Sequence, residues 1–151
     1  MKAFLGGVVI GLGLLSQPAF AADKGTSDEA MAMVKKAAAA IKADGKDKTF
    51  AAIADPNNKD YHDRDLYVFV YDMNGVAVAH GNNPKMVGKN LLDMKDGEGK
   101  AMIKEMVDTA KTKGKGWVSY KWPNPVTKTV DNKSAYIEKV DDVLVGAGVY
   151  K

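Results

Sequence analysis

The run Leu66-Tyr67-Val68-Phe69-Val70-Tyr71 sets the strongest constraint on this chain. β-Branched and aromatic side chains in unbroken succession favour a pleated strand. Asp72-Met73-Asn74-Gly75 then supplies turn chemistry, and Val76-Ala77-Val78-Ala79-His80 resumes the extended texture, so the segment predicts a β-hairpin. Residues two apart share a strand face. Tyr67, Phe69 and Tyr71 therefore oppose Val68 and Val70, and either set could face the helices.

Two helices precede the hairpin. Thr26 and Glu29 have capping-box spacing, and Ala30, Met33, Val34, Ala37, Ala38 and Ile41 recur at helical intervals up to Asp44-Gly45. A shorter helix at about 47–54 would bury Phe50 and Ile53 before Asp55-Pro56 forces a turn. After the hairpin, Met102, Ile103, Met106, Val107 and Ala110 form one apolar stripe, stopped by Gly114 and Gly116. Three strands follow, at 117–122, 134–140 and 143–150. Consecutive strands with short turns mean an antiparallel sheet, and helices grouped against it mean α+β. Five strands with a helix inserted after the second is the plan of PAS-like sensor domains.

The N-terminus reads as an export signal: Met1-Lys2, an uncharged run through Leu15, then small residues before Ala22. A bilayer-spanning helix needs about 20 apolar residues, and this run is shorter. We therefore expect residues 1–21 to be a cleaved signal peptide, residues 22–151 to be one domain, and the product to be periplasmic or secreted. Cysteine is absent, which removes thiol catalysis, Cys-ligated zinc, iron–sulfur clusters and covalent haem. No cofactor is expected. The formal net charge is +3, with lysines dispersed among acids. A nucleic-acid surface needs a clustered basic face, so no nucleic-acid partner is expected.

The string Leu66-Tyr67-Val68-Phe69-Val70-Tyr71-Asp72, with Gly75, Ala79-His80-Gly81, Asn83-Pro84 and Val87-Gly88-Lys89-Asn90 after it, resembles the opening hairpin of single Cache domains. Gly116-Trp117-Val118-Ser119-Tyr120-Lys121-Trp122-Pro123-Asn124-Pro125, Lys133-Ser134-Ala135-Tyr136 and Gly146-Ala147-Gly148-Val149-Tyr150 continue the likeness over nearly the whole mature chain. The resemblance implies extracytoplasmic sensing of small organic molecules, short carboxylates prominent among them. Such domains usually sit between two membrane helices. Here the chain stops at Lys151, so a free-standing exported module is expected, with any signal relayed by a membrane receptor or kinase partner. Cache receptors often dimerise through their first helix; residues 28–43 are alanine-rich but short, and a monomer or weak homodimer is expected.

A small-molecule pocket needs apolar and aromatic walls with a few convergent polar groups. Tyr120 and Trp122 share a face of their strand and are candidate walls, as are Tyr67 and Phe69; for all four, core packing is the alternative. His80 ends the second strand and could donate to a carboxylate. Lys133, at the mouth of such a pocket, would be a counter-charge for an acid, with Tyr136 beside it, unless it is simply solvated.

The acidic segment at 60–65 surrounds His62 and reads as a polar loop. The acids at 93–98 lack calcium-loop spacing and are expected to cap the following helix. Two other function classes stay in view. One is a protein-interaction partner of a receptor or kinase that holds no ligand. The other is a small exported hydrolase built on residues 60–65. The chain has no Gly-x-Ser-x-Gly elbow, no cysteine nucleophile and no His-Glu-x-x-His helix, so it is not expected to be an enzyme.

Overall fold

The computed structural model describes residues 24–151. The expected signal segment lies outside them. The first helix, α1 (Ser27–Asp44), begins with the anticipated capping box: the Thr26 hydroxyl accepts from the Glu29 amide, and the Glu29 carboxylate accepts from the Thr26 amide, both at 3.2 Å. Its apolar stripe is buried along its whole length. Gly45, at φ 90°, closes α1 and opens α2 (Lys46–Ala54), a backbone setting that side chains strain to adopt. In α2, Ile53 is buried, whereas Phe50 is only partly covered and Thr49 lies inside instead.

The strands are β1 (His62–Asp63), β2 (Leu66–Asp72), β3 (Ala77–His80), β4 (Lys115–Pro123), β5 (Val130–Val140) and β6 (Val143–Tyr150), with α3 (Met102–Lys113) between β3 and β4. They form an antiparallel sheet in the order β1-β2-β6-β5-β4, with β3 also paired to β2. The fold is α+β and PAS-like, as expected, with a two-residue β1 as a sixth strand where a polar loop was anticipated. The β2–β3 turn is held by the Asp72 carboxylate, which accepts from the Asn74 and Val76 amides at 2.9 and 3.0 Å. Gly75 in that turn has φ 84°, and a Cβ there would lie 2.8 Å from Leu92 Cβ.

Strand periodicity divides the sheet into two faces with different chemistry. Leu66, Val68, Val70, Val143, Val145, Ala147 and Val149 pack against α1, with Ile53 of α2 in the same cluster. Fully burying one such aliphatic side chain contributes about 1.5–3 kcal/mol, so this layer is the hydrophobic anchor of the fold. It also occupies the apolar stripe of α1. The opposite face carries Tyr67, Phe69, Tyr71, Val118, Tyr120, Ala135, Ile137 and Leu144. Covering it are Met102, Ile103, Met106, Val107 and Ala110 of α3, and Met86 and Leu91 from the segment after β3.

The acids expected to cap α3 do something else. The α3 N-cap is Ala101, without a side-chain cap. Asp96 accepts from the amides of Glu98 and Lys100 at 2.9 Å and, from β4, of Lys121 at 3.0 Å. It braces the loop against the sheet edge, because three oriented amides offer a carboxylate more than one helix terminus does.

Candidate ligand-binding site

The aromatic face converges on one lysine. Cross-strand register places Lys133 of β5 opposite Tyr120 of β4 and Tyr150 of β6. Its side chain is 1% exposed. The ammonium donates to the Tyr67 hydroxyl at 3.0 Å and lies over the Tyr67, Tyr150 and Phe69 rings, 4.2, 5.0 and 5.6 Å from their centroids. The Tyr67 and Tyr150 hydroxyls are 3.5 Å apart, and Tyr150 donates to the Pro123 carbonyl at 2.7 Å. With that proton committed to Pro123, Tyr67 donates to Tyr150. The result is a directed chain from Lys133 through two tyrosines to the backbone.

Room for this arrangement comes from β6. On the aromatic face β6 presents Leu144, Gly146, Gly148 and Tyr150, two glycines in alternate positions. A Cβ on Gly148 would meet Lys133 Cε at 2.3 Å, and one on Gly146 would meet Phe69 Cζ at 2.3 Å. The glycines therefore form a trough in which Phe69 and Lys133 lie.

His80 joins through a β-bulge. Its register partner is Phe69, while Ala77 pairs with Tyr71, so one extra residue stands between them on β3. The bulge turns both Ala77 and His80 onto the aromatic face, which strict alternation forbids. The His80 ring lies 5.2 Å from Tyr67 and 6.3 Å from Phe69. Its Nδ1 accepts from the Asn82 and Asn83 amides at 3.2 and 2.9 Å. The remaining proton therefore belongs on Nε2, which has no hydrogen-bond partner among the described residues.

Electrostatics follow from burial. Desolvation, with the Lys133 charge adding to it, pushes His80 down to about 3, so its imidazole is neutral. Desolvation holds Lys133 down to about 7 against an opposing pull from the Asp65 carboxylate. Tyr67 is raised well above the usual tyrosine range by burial and by Tyr150, and Tyr120 by burial. Asp65 is itself buried and accepts from the Gly25 amide at 2.8 Å. No carboxylate among the described residues lies within ion-pair distance of Lys133. A buried cation without a counter-ion is costly.

Side-chain polar atoms sealed from solvent all have hydrogen-bond partners among the described residues. His80 Nε2 and the Tyr71 and Tyr120 hydroxyls make none there, so each reaches water-sized space. A cavity of about 350 Å³ is lined by Tyr120 and Lys133 of this cluster and opens among Asp96, Glu98, Lys100, Ser119, Lys121 and Lys151. A second, of about 220 Å³, lies beside α1 between Met33, Lys36 and Asp60.

The structure brings Tyr67, Phe69, His80, Tyr120, Trp122 and Lys133 together; Trp122 meets Tyr120 edge-on at 5.9 Å. Two expectations need correction. Lys133 is not an exposed residue at a pocket mouth but is buried among aromatic rings, because β5 begins at Val130 and not at Ser134. Tyr136 is not in the cluster. It lies three residues from Lys133 on one strand, an odd spacing, and so faces α1. There its ring packs on Trp117 at 5.4 Å and its hydroxyl donates to Glu138 at 2.9 Å.

His62 is structural: its ring nitrogens sit 3.1 and 2.9 Å from the Asn58 and Gly81 carbonyls, joining β1 to the end of β3. The residues that sequence reasoning missed are Tyr150, Gly146 and Gly148. Their signal was present, since the closing strand alternates valine or alanine with glycine.

A family model for single Cache domain 2 matches residues 18–151. The chain is 37% identical over 89 residues to the sensor histidine kinase MctS of Rhizobium johnstonii, covering 58% of this chain and 19% of that protein. It is 33% identical over 91 residues to the methyl-accepting chemotaxis protein McpP of Pseudomonas putida, covering 59% and 17%. The matched part thus spans about a fifth of those relatives.

Among solved structures, a methyl-accepting chemotaxis protein from Vibrio parahaemolyticus superposes with a TM-score of 0.70 at 27% identity, over 82% of this chain and 86% of that one. A Cache chemosensory domain whose structure describes carboxylic acid recognition gives 0.69 at 27%, over 82% and 92%. The periplasmic sensor domain of a chemotaxis protein gives 0.66 at 26%, over 82% and 88%. Fold and matched length agree, and the chain belongs to the single Cache domain 2 family of extracytoplasmic sensory modules.

Proposed function

We propose that this chain is an exported binding module that holds a short organic acid against Lys133, and that it turns over no substrate. One observation carries the reading: a buried lysine with no carboxylate partner among the described residues, faced by hydrogen-bond donors and aromatic walls. A guest carboxylate completes the ion pair that the fold leaves open. His80 Nε2–H and the Tyr120 hydroxyl are the further donors, and Trp122 closes one side. The similarity to a Cache domain that recognises carboxylic acids supports the same class of ligand. Entry requires the side chains around Lys133 to part, with the adjoining cavity as the route. Relay of the signal falls to a membrane receptor or kinase partner, a reading supported by the relatives in which the matching segment forms part of such proteins.

The test is thermal unfolding in the presence of acetate, propionate, lactate, pyruvate and amino acids. A ligand at a hundred times its dissociation constant adds about 2.7 kcal/mol of stability. Monocarboxylates are expected to raise the melting temperature. Absence of any shift across the panel would sink the proposal.

A further inference from the structure

We propose that Lys133 captures carbonyl-bearing acids covalently, forming a reversible Schiff base with a 2-oxo acid, whereas simple carboxylates at the same place are held by charge alone. The inference rests on the reading of Lys133 as the ligand-facing cation and extends it to a second mode of binding.

The geometry supplies what imine formation requires. The amine must be partly neutral near physiological pH, and a desolvated lysine in an aromatic pocket meets that condition; burial holds Lys133 down to about 7. A neutral lysine needs a neighbour to manage protons, and the Tyr67 hydroxyl lies 3.0 Å from the nitrogen with Tyr150 behind it. Water must be limited, and the side chain is 1% exposed. No carboxylate of the described residues pairs with the amine to hold it as ammonium.

The steps balance without an external reagent. The Lys133 nitrogen lone pair forms a bond to the keto carbon as the carbon–oxygen π bond breaks toward oxygen. That oxygen takes up a proton while the nitrogen gives one up, and Tyr67 is placed to pass it, which yields a carbinolamine. The nitrogen lone pair then forms the carbon–nitrogen double bond as the hydroxyl leaves as water, taking back the proton that the Lys133 ammonium released to solvent on becoming the free amine. The product is a protonated imine with the ligand carboxylate on the adjacent carbon, so the positive charge that answers the acid is retained. His80 Nε2–H and the Tyr120 hydroxyl remain to hold the carboxylate. The reverse steps, with water, release the ligand unchanged.

The experiment is borohydride reduction of the full chain incubated with pyruvate, followed by intact mass measurement and peptide mapping. The expected result is one reduced adduct, located at Lys133, that fails to form with propionate in place of pyruvate and is suppressed when propionate competes. Lys133→Arg cannot form an imine, so it is expected to lose the adduct. Should Lys133→Arg not fold, the wild-type peptide map decides alone. Pyruvate raising the melting temperature with no adduct, or with label scattered over surface lysines, overturns covalent capture and leaves carboxylate binding standing. A missing response to every acid removes both.

Discussion

The two faces of this sheet are built from the same strands and yet have opposite characters. Toward α1 the strands present Leu66, Val68, Val70, Val145, Ala147 and Val149, aliphatic groups that meet a helix stripe of the same kind. Toward α3 they present Tyr67, Phe69, Tyr71 and Tyr120, with Lys133 and His80 buried among them. One face is mainly aliphatic where α1 covers it; the other gathers a buried lysine, a histidine and several phenols. The first can supply stability because it asks nothing else of its residues. The second carries a desolvated cation that weakens the fold until something pairs with it. The contrast teaches that the aliphatic core and the proposed site in this chain are divided by strand parity, not by region of sequence.

The largest break in that contrast is Lys133→Met. It removes the buried charge at similar volume, and the carboxylate-induced melting shift is expected to vanish while the ligand-free melting temperature rises near neutral pH. The same lysine sets a pH dependence. Its amine is depressed to about 7 in the folded chain, so the unfolded state binds the extra proton between about 7 and its ordinary value near 10.4. Stability should therefore climb with pH across that window, by an amount on the order of 5 kcal/mol from this group. Below about 7 its full penalty applies. His80, depressed to about 3 by burial, adds a further loss as pH falls from about 6.5 toward 3. Melting curves from pH 5 to 10 check both, and Lys133→Met should flatten the upper part. Carboxylate affinity should run the other way and weaken above about pH 7, since the ammonium form is the one that binds.

Leu66→Ala, on the aliphatic face, is expected to cost about 2–5 kcal/mol by denaturant titration. Its ligand affinity should stay at the wild-type value; an affinity change there would break the separation of the faces.

Gly148→Ala places a Cβ against Lys133 Cε. Overpacking of this kind costs about 1–3 kcal/mol, and calorimetric titration should register a loss of carboxylate binding out of proportion to the stability change. Ala147→Gly, one residue away on the other face, should leave binding intact.

The smallest effect sharpens the comparison most. Tyr67→Phe deletes the Lys133 hydrogen bond and should weaken binding roughly tenfold, since hydrogen bonds to charged groups contribute about 1.5–3 kcal/mol. Tyr136→Phe, an identical change on the opposite face, should leave affinity unchanged. Equal effects from the two would show that the faces are not independent.

Periodicity carried the sequence a long way. The hairpin, the three helices and the closing strand were legible because each has a local cause: a capping box at Thr26, a glycine turn at Gly75, an apolar stripe from Met102. Most of the buried cluster was legible too, since Tyr67, Phe69, His80, Tyr120, Trp122 and Lys133 are chemically distinctive at plausible strand positions. Tyr136 was misplaced because local composition put Lys133 outside the strand; with both in β5 their odd spacing sends them to opposite faces. Tyr150 was missed because its importance comes from a cross-strand neighbour, which no local window contains.

By itself, the sequence determined which segments extend, which coil and which side chains share a face, because these follow from backbone sterics and solvent within a few residues. Only the tertiary structure decided which face would be aliphatic core and which would gather the lysine and histidine. That choice needed the β3 bulge to turn His80 inward, the β5 register to set Lys133 between Tyr120 and Tyr150, and two glycines of β6 to leave it room. Each is a contact between residues far apart in the chain, and its energy exists only once the strands have paired.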